Sequence, residues 1–473
     1  MPYKHGVYAN ETATAVAVPT PSESGVAFAI GAAPVQSAAS PAAVGVPTLV
    51  TSWEEFVEKF GYSDDWDKYP LCEVAYSHFK LFGVQPVIVC NLLNPASHKS
   101  AVAAADKAVA SHQIKLPQEA ILSSVVVKAS GGQGTAYAKD EDYALFYDTD
   151  AGELVIELLS DGTIYSATEL SVAYDAVTAA SVNASAVVAG MESIELCSTS
   201  LGVVPDIILA PGYSTDATVA AAMATKAESI NGMFKAIALI DMDCSAVTAY
   251  DAAITAKLAA AHTESEILCW PMVSLGDKKF HLSTQLAGLM AQVDASNDDC
   301  PVESPSNKNL RCDSMILANG TEVTLSHAQA VQMNAAGIVT CLNFLGGFVA
   351  WGNFTAAYPA NKDPKDAEIS VKRMFGWANN TVIRTCWSRL DKPMTRRLID
   401  AITDDLNAWL NGLSGAGYLL GGRIEYQEDE NALIDLMQGI CRFHMFLTPP
   451  SAVQEIEFVM EYDADYLAAA FSA

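Results

Sequence analysis

The alternation of apolar and polar positions is cleanest near the C-terminus, where Ile456, Phe458, Met460 and Tyr462 alternate with Glu455, Glu457, Val459 and Glu461. A period of two kept over these residues predicts a β-strand with one apolar face and one largely acidic face. The strand follows Thr448-Pro449-Pro450 at the end of the chain. It either docks onto a sheet of its own molecule or is handed to the sheet edge of another, and the pattern leaves both readings open. At the other end, Pro2, Pro19 and Pro21 oppose a helix. Val7, Tyr8, Val16 and Val18 add β-formers that a solvating tail does not need. Residues 1–24 therefore read as an extended arm, able to reach roughly 80 Å when stretched.

Between the arms the period changes with position. Gly25–Gly31 and Pro86–Leu93 are continuous apolar runs, hence buried strands. Ser52-Trp53-Glu54-Glu55 reads as a capping box opening a helix that stops at Gly61. Pro70 opens a second helix that ends at Gly83, with Cys72, Ala75, Tyr76 and Phe79 on one face. In residues 98–200, short strands at Val125–Lys128, Tyr143–Tyr147, Glu153–Leu159 and Ile194–Cys197 are divided by glycine turns, which predicts a small antiparallel β domain.

From Pro205, strands at Asp206–Ala210, Ala236–Asp241 and Ile267–Trp270 alternate with helices through Ala227, around Ala249–Ala260 and over His281–Val293. This is a parallel, doubly wound pattern. A helix over Ser326–Ala336 then leads into a strand at Ile338–Leu342. After Gly346 come an apolar hairpin, a short strand at Ile369–Val371 and helices over Lys372–Trp387 and Pro393–Leu410, the second broken at Asn411-Gly412. Strands at Arg423–Glu428 and Cys441–Thr448 precede the terminal strand. The fold class is a multidomain mixed α+β chain with α/β units.

Composition narrows the class. A chain of 473 residues, half hydrophobic and 17% charged, is globular and divides into two to four domains. No run approaches the roughly 18 apolar residues of a membrane span, and MPYKHGVYAN lacks the apolar stretch of a secretory signal. Ten cysteines without a C-x-x-C pair read as reduced thiols made in a cytosol, and eight scattered histidines predict no metal site. A net charge of −28 weighs against nucleic-acid binding. One window runs the other way: residues 362–397 carry +5, including Lys392, Arg396 and Arg397, a surface suited to an acidic partner.

No phosphate loop, zinc-protease helix or nucleophile elbow occurs in the sequence. Gly415-Ala416-Gly417 follows a helix instead of a strand, so it reads as a turn and not a dinucleotide loop. Pro211-Gly212-Tyr213-Ser214 and Asp241, Asp243 and Cys244 follow strands, where α/β enzymes carry their sites. They define the rival reading, an α/β-fold enzyme with a site near Tyr213 and Asp241. His78, His281, His327 and His444 read as structural. No catalytic, cofactor-binding or metal residue is assigned and no cofactor is expected.

Several stretches, taken in order, resemble the sheath protein of contractile phage tails and phage-tail-like bacteriocins. These are Gly6-Val7-Tyr8, Gly25–Pro34, Pro47–Gly61 (PTLVTSWEEFVEKFG) and Pro205–Ser214 (PDIILAPGYS). Further along come Gly347–Thr355 around Trp351-Gly352, Ile369–Arg373 (ISVKR), Asn431, Gly439 and the ending with Glu455, Ile456 and Phe458. The likeness spans most of the chain except about 98–200. Phe354 stands where many members have arginine, so no charge contact is carried over to that position.

The resemblance implies a discontinuous core of residues 25–97 with 346–453, an inserted β domain (98–200), an inserted α/β domain (201–345), and arms at 1–24 and 454–473. It also implies a homo-oligomer of hexameric rings stacked around an inner tail tube protein and bounded by baseplate and tail-terminator proteins. Such a chain is made in the bacterial host cytoplasm and becomes part of the phage tail or tail-like particle. It binds no nucleic acid and does not itself insert into a membrane; contraction drives the tube through the target membrane. Val7 and Tyr8 in one arm, with Ile456, Phe458 and Met460 in the other, are expected to carry an inter-subunit sheet, and Lys392, Arg396 and Arg397 to face the tube. A non-contractile shell or adhesin subunit is the third reading.

Overall fold

The computed structural model describes residues 21–149 and 151–471. Its first unit comprises β1 (Ala27–Gly31), β2 (Thr48–Val50), α1 (Trp53–Phe60), α2 (Pro70–Ala75) and β3 (Val87–Asn91). α2 runs on as a wider π-type turn over Tyr76–Phe82, closed by left-handed Gly83. β1 and β3 are buried along their whole length, which is why they read as unbroken apolar runs. Ser52 caps α1 by accepting the Glu55 N–H at 3.1 Å. The expected capping box is only half made, because the Glu55 carboxylate turns to the Thr51 N–H at 2.7 Å.

The inserted β region holds β4 (Lys99–Ala108), β5 (Gln113–Pro117), β6 (Val126–Ala129), β7 (Tyr143–Asp148), β8 (Glu153–Leu158) and β9 (Glu169–Val177). They form two three-stranded antiparallel sheets, β4-β9-β6 and β5-β8-β7, around a separate core that includes Leu116, Leu154 and Val172. The alanine-rich β4 is exposed along its length, so it shows no alternation to read. The strand expected at Ile194–Cys197 is a correction. Behind α3 (Ala184–Gly190) the chain continues in helical turns to Leu201, with Ile194 and Cys197, three residues apart, buried on one side.

The α/β region runs β10 (Ile207–Leu209), α4 (Ala217–Glu228), β11 (Ile237–Asp241), α5 (Tyr250–Ala259), β12 (Glu266–Cys269), β13 (Met272–Leu275), β14 (Lys278–Phe280) and α6 (Leu282–Ala295). It continues through β15 (Ser314–Ile316), β16 (Glu322–Val323), α7 (His327–Ala335), β17 (Ile338–Phe344) and β18 (Gly347–Trp351). The main sheet has the order β18-β17-β12-β11-β10-β1-β3-β2, parallel throughout except at its two edges. β1 and β3 thus lie in one sheet with β10, β11, β12 and β17. The segments 25–97 and 201–345, separated on sequence, share one hydrogen-bonded layer.

The last region contains α8 (Pro364–Ala367), α9 (Ile369–Cys386), α10 (Arg396–Ala416), β19 (Gly421–Glu425), α11 (Leu433–Met437), β20 (His444–Thr448) and α12 (Ala464–Phe471). Two expectations fail here. Ile369–Val371 is not a strand but the first turn of α9, whose buried Ile369, Arg373, Met374 and Trp377 follow a helical stripe. Asn411-Gly412 does not break α10, because Leu406, Leu410 and Leu413 continue one packed face past it; the helix ends at left-handed Gly417. The terminal alternation forms no ladder: residues 449–463 run outside any helix or strand.

Candidate assembly interface

The first described residues and the C-terminal extension both approach α9, the former along its middle turns and the latter near the residue that precedes it. At the entry side, the Ser22 N–H donates to Thr381 Oγ1 at 3.0 Å and the Trp377 indole N–H donates to the Ser22 carbonyl at 2.8 Å. Ser24 Oγ donates to Asp294 Oδ2 at 2.7 Å, and the Arg373 guanidinium bonds both Asp294 and Asp206, the latter at 2.9 Å. Burial pushes the Asp206 carboxyl up, while Arg373 acts against that rise. Gly25 completes the root: its φ is +74°, and a Cβ there would sit 2.7 Å from the Ala291 Cα.

At the exit side, Glu368 precedes the first residue of α9 and its backbone bridges to Phe354. Burial pushes its carboxyl up, and the nearby Ser451 and Ala452 act against that rise. The chain crosses an open groove of about 800 Å³ lined by Trp351, Phe354, Tyr358 and Tyr418. Beyond it, Ile456, Phe458 and Met460 are 70%, 81% and 93% exposed, so their apolar face covers nothing in the isolated chain. Val7 and Tyr8 lie outside the described residues.

β19 and β20 form a two-stranded sheet backed by α10. Its two edges differ. The Asn407 side chain accepts the Ile424 N–H at 2.8 Å and donates to the Ile424 carbonyl at 2.9 Å, capping the outer edge of β19. Among the described residues, no strand lies beside the outer edge of β20.

Lys392, Arg396 and Arg397 are all exposed just before and at the start of α10. Arg396 pairs with Asp400 at 2.9 Å and lies 5.7 Å from the Tyr426 ring. Arg396 also lines a shallow groove with Met394, Leu433 and Met437. Leu433, Ile434 and Met437 are 75%, 65% and 79% exposed, an apolar patch that sequence reading missed. The signal was present as LIDLM, an apolar segment between turns with no core pattern to join.

The strand ends of the rival reading are brought together, but not as a nucleophilic site. Asp241 accepts from Ser214 Oγ at 3.2 Å and from the Ser283 N–H at 3.0 Å; the Ser283 hydroxyl also donates to it. His281 Nδ1 is 2.8 Å from Glu73 Oε2. Both hydroxyls are engaged with Asp241 rather than with the imidazole. Burial pushes the Asp241 carboxyl up, and the Cys244 thiol up to about 12, away from the thiolate a nucleophile needs. Burial opposes the charge on His281, but Glu73 overcomes it and holds the imidazole up at about 9. Among the described residues, no group of three or more His, Cys, Asp or Glu side chains could hold a metal ion.

No family model matches the chain. It is 30% identical over 417 residues to the tail sheath protein of Burkholderia phage BcepMu, covering 82% of this chain and 83% of that relative. With the tail sheath protein of Escherichia phage P2 it shares 23% identity over 288 residues, 59% of this chain and 68% of the relative. Among solved structures, the helical sheath of the anti-feeding prophage in its contracted state superposes with a TM-score of 0.59 at 14% identity. That superposition covers 98% of this chain and 100% of the other, a likeness of fold.

Proposed function

The chain belongs to the tail sheath proteins of contractile phage tails and related injection systems, and on that footing we propose how its own residues build the sheath. Subunits form hexameric rings stacked around an inner tube, with baseplate and terminator proteins at the ends. The chain is made in the bacterial host cytoplasm and functions as a structural subunit, not an enzyme. One observation carries the reading: an apolar terminal face with nothing to cover lies on the same molecule as a two-stranded sheet whose β20 edge is open. Ile456, Phe458 and Met460 of one copy add a strand at that edge in the next, supplying main-chain hydrogen bonds and an apolar contact together. Val7 and Tyr8 are assigned the matching role in the N-terminal arm. Because donor and acceptor are different surfaces, the contact is head-to-tail and propagates an open helix.

Contraction then draws on many small interface gains between two lattice states, and the tube is driven through the target membrane without nucleotide chemistry. Lys392, Arg396 and Arg397, with the neighbouring Leu433, Ile434 and Met437, form the surface assigned to the tube. Deleting residues 1–20 or 454–473 is expected to leave a soluble chain that does not polymerise. Sheath-like tubes of normal length from either truncation, seen by negative-stain microscopy, would overturn the arm assignment.

A further inference from the structure

We propose that α9 is a strut tying the two arm roots directly to each other, with Arg373 as the positioning residue that fixes the N-terminal root on it. The inference deepens the sheath reading, and rests on it for what pulls on the arms. The N-terminal root touches α9 at Arg373, Trp377 and Thr381. The C-terminal root lines one groove with Phe354, whose backbone bridges to Glu368 just before the first turn of α9. Glu368 and Thr381 are thirteen positions apart, about 20 Å along a helix axis. A pull entering at Ser22 therefore meets the C-terminal root through one continuous set of helical hydrogen bonds. It need not cross the eight-stranded sheet or the β region.

Arg373 is what makes the N-terminal attachment stiff. Its side chain is 3% exposed and is held between Asp294 at 0% and Asp206 at 13%, with Ser24 completing the cage. These partners come from α6, from the residue before β10 and from the incoming chain, so one guanidinium locks four segments in register. A planar fork with several donors suits such a cage; a lysine would offer a single point charge. Thr381 and Trp377 then clamp Ser22 from the next turns of the same helix. Trp377 is itself wedged against Trp409 of α10, with ring centroids 5.6 Å apart.

The test is single-molecule pulling on the isolated full-length chain, with handles at Glu23 and Val453. The strut predicts that the first rupture releases only the root segments, less than about 10 nm of chain, while the sheet and the β region stay folded. Arg373→Met, which keeps the side chain's bulk, should at least halve that rupture force. Where this variant fails to fold, Trp377→Phe keeps one aromatic ring in place, removes the bond to Ser22, and should lower the force by about a third. A first rupture that unravels the β region, or a force unmoved by either substitution, would overturn the strut. This outcome leaves the truncation phenotypes untouched. Conversely, normal tubes from arm-less chains would sink the arm assignment and leave the pulling result standing.

Discussion

The indole N–H of Trp377 donates to the carbonyl of Ser22 across 2.8 Å, joining residues 355 positions apart in the chain. With Trp409 packed at a tilt against it, the ring closes the core between α9 and α10. Trp377→Ala should cost about 3–5 kcal/mol of unfolding free energy through lost burial and the cavity left behind. Trp377→Phe should cost only about 1–2 kcal/mol, since it removes one hydrogen bond and part of the ring. Urea titration followed by circular dichroism separates the two.

The exposed terminal arm predicts a dissociation between stability and assembly. Ile456→Ser with Phe458→Ser removes apolar surface that the isolated chain leaves open, so its stability should stay within about 0.5 kcal/mol of the parent. Polymerisation should fall at least tenfold by sedimentation. A double variant that polymerises normally would count against the donated strand.

His281 predicts an alkaline decline in stability. Its folded-state pKa of about 9 lies above the ordinary histidine value. The stabilisation is therefore present in full below about pH 6.5 and is lost as pH rises through 9. Glu73, Asp241 and Asp67 are the charges responsible. The loss should be on the order of 2–3 kcal/mol between pH 6.5 and pH 10. His281→Gln should remove most of that slope in thermal melts recorded across the range.

The patch beside α10 predicts a partner-specific defect. Leu433→Ser with Met437→Ser, or Arg396→Glu with Arg397→Glu, changes residues that are exposed in the isolated chain. Each pair should leave the melting temperature nearly unchanged and weaken co-assembly with the tube protein at least tenfold. Undiminished co-pelleting with preformed tubes would remove this surface from the tube contact.

How far the sequence could be read depended on how local each cause was. Ser52, Gly61, Pro70 and Gly83 set helix ends through their immediate neighbours, and all four stand where the sequence placed them. Ile369–Val371 is helical because two β-branched residues carry less weight than the helical stripe extending to Trp377. β4 was invisible because an exposed alanine-rich strand leaves no period-two pattern. The proposed assembly surfaces were legible in part: Ile456, Phe458 and Met460 stood out by alternation, whereas Leu433 did not.

The sequence by itself determined the buried strands, the capped helices, the apolar face of the C-terminal arm and the order of segments that resembles the sheath family. Each depends on composition or on residues a few positions apart, so it survives reading in one dimension. Only the tertiary structure decided that β1 and β3 share a sheet with β10 to β12 and β17, and that Ser22 and the 450–454 segment, so distant in sequence, both lie by α9. The Arg373 cage belongs to the same class: its acids lie 167 and 79 positions earlier in the chain. A buried charge is stable only where distant carboxylates converge on it, and that convergence is a property of the folded chain.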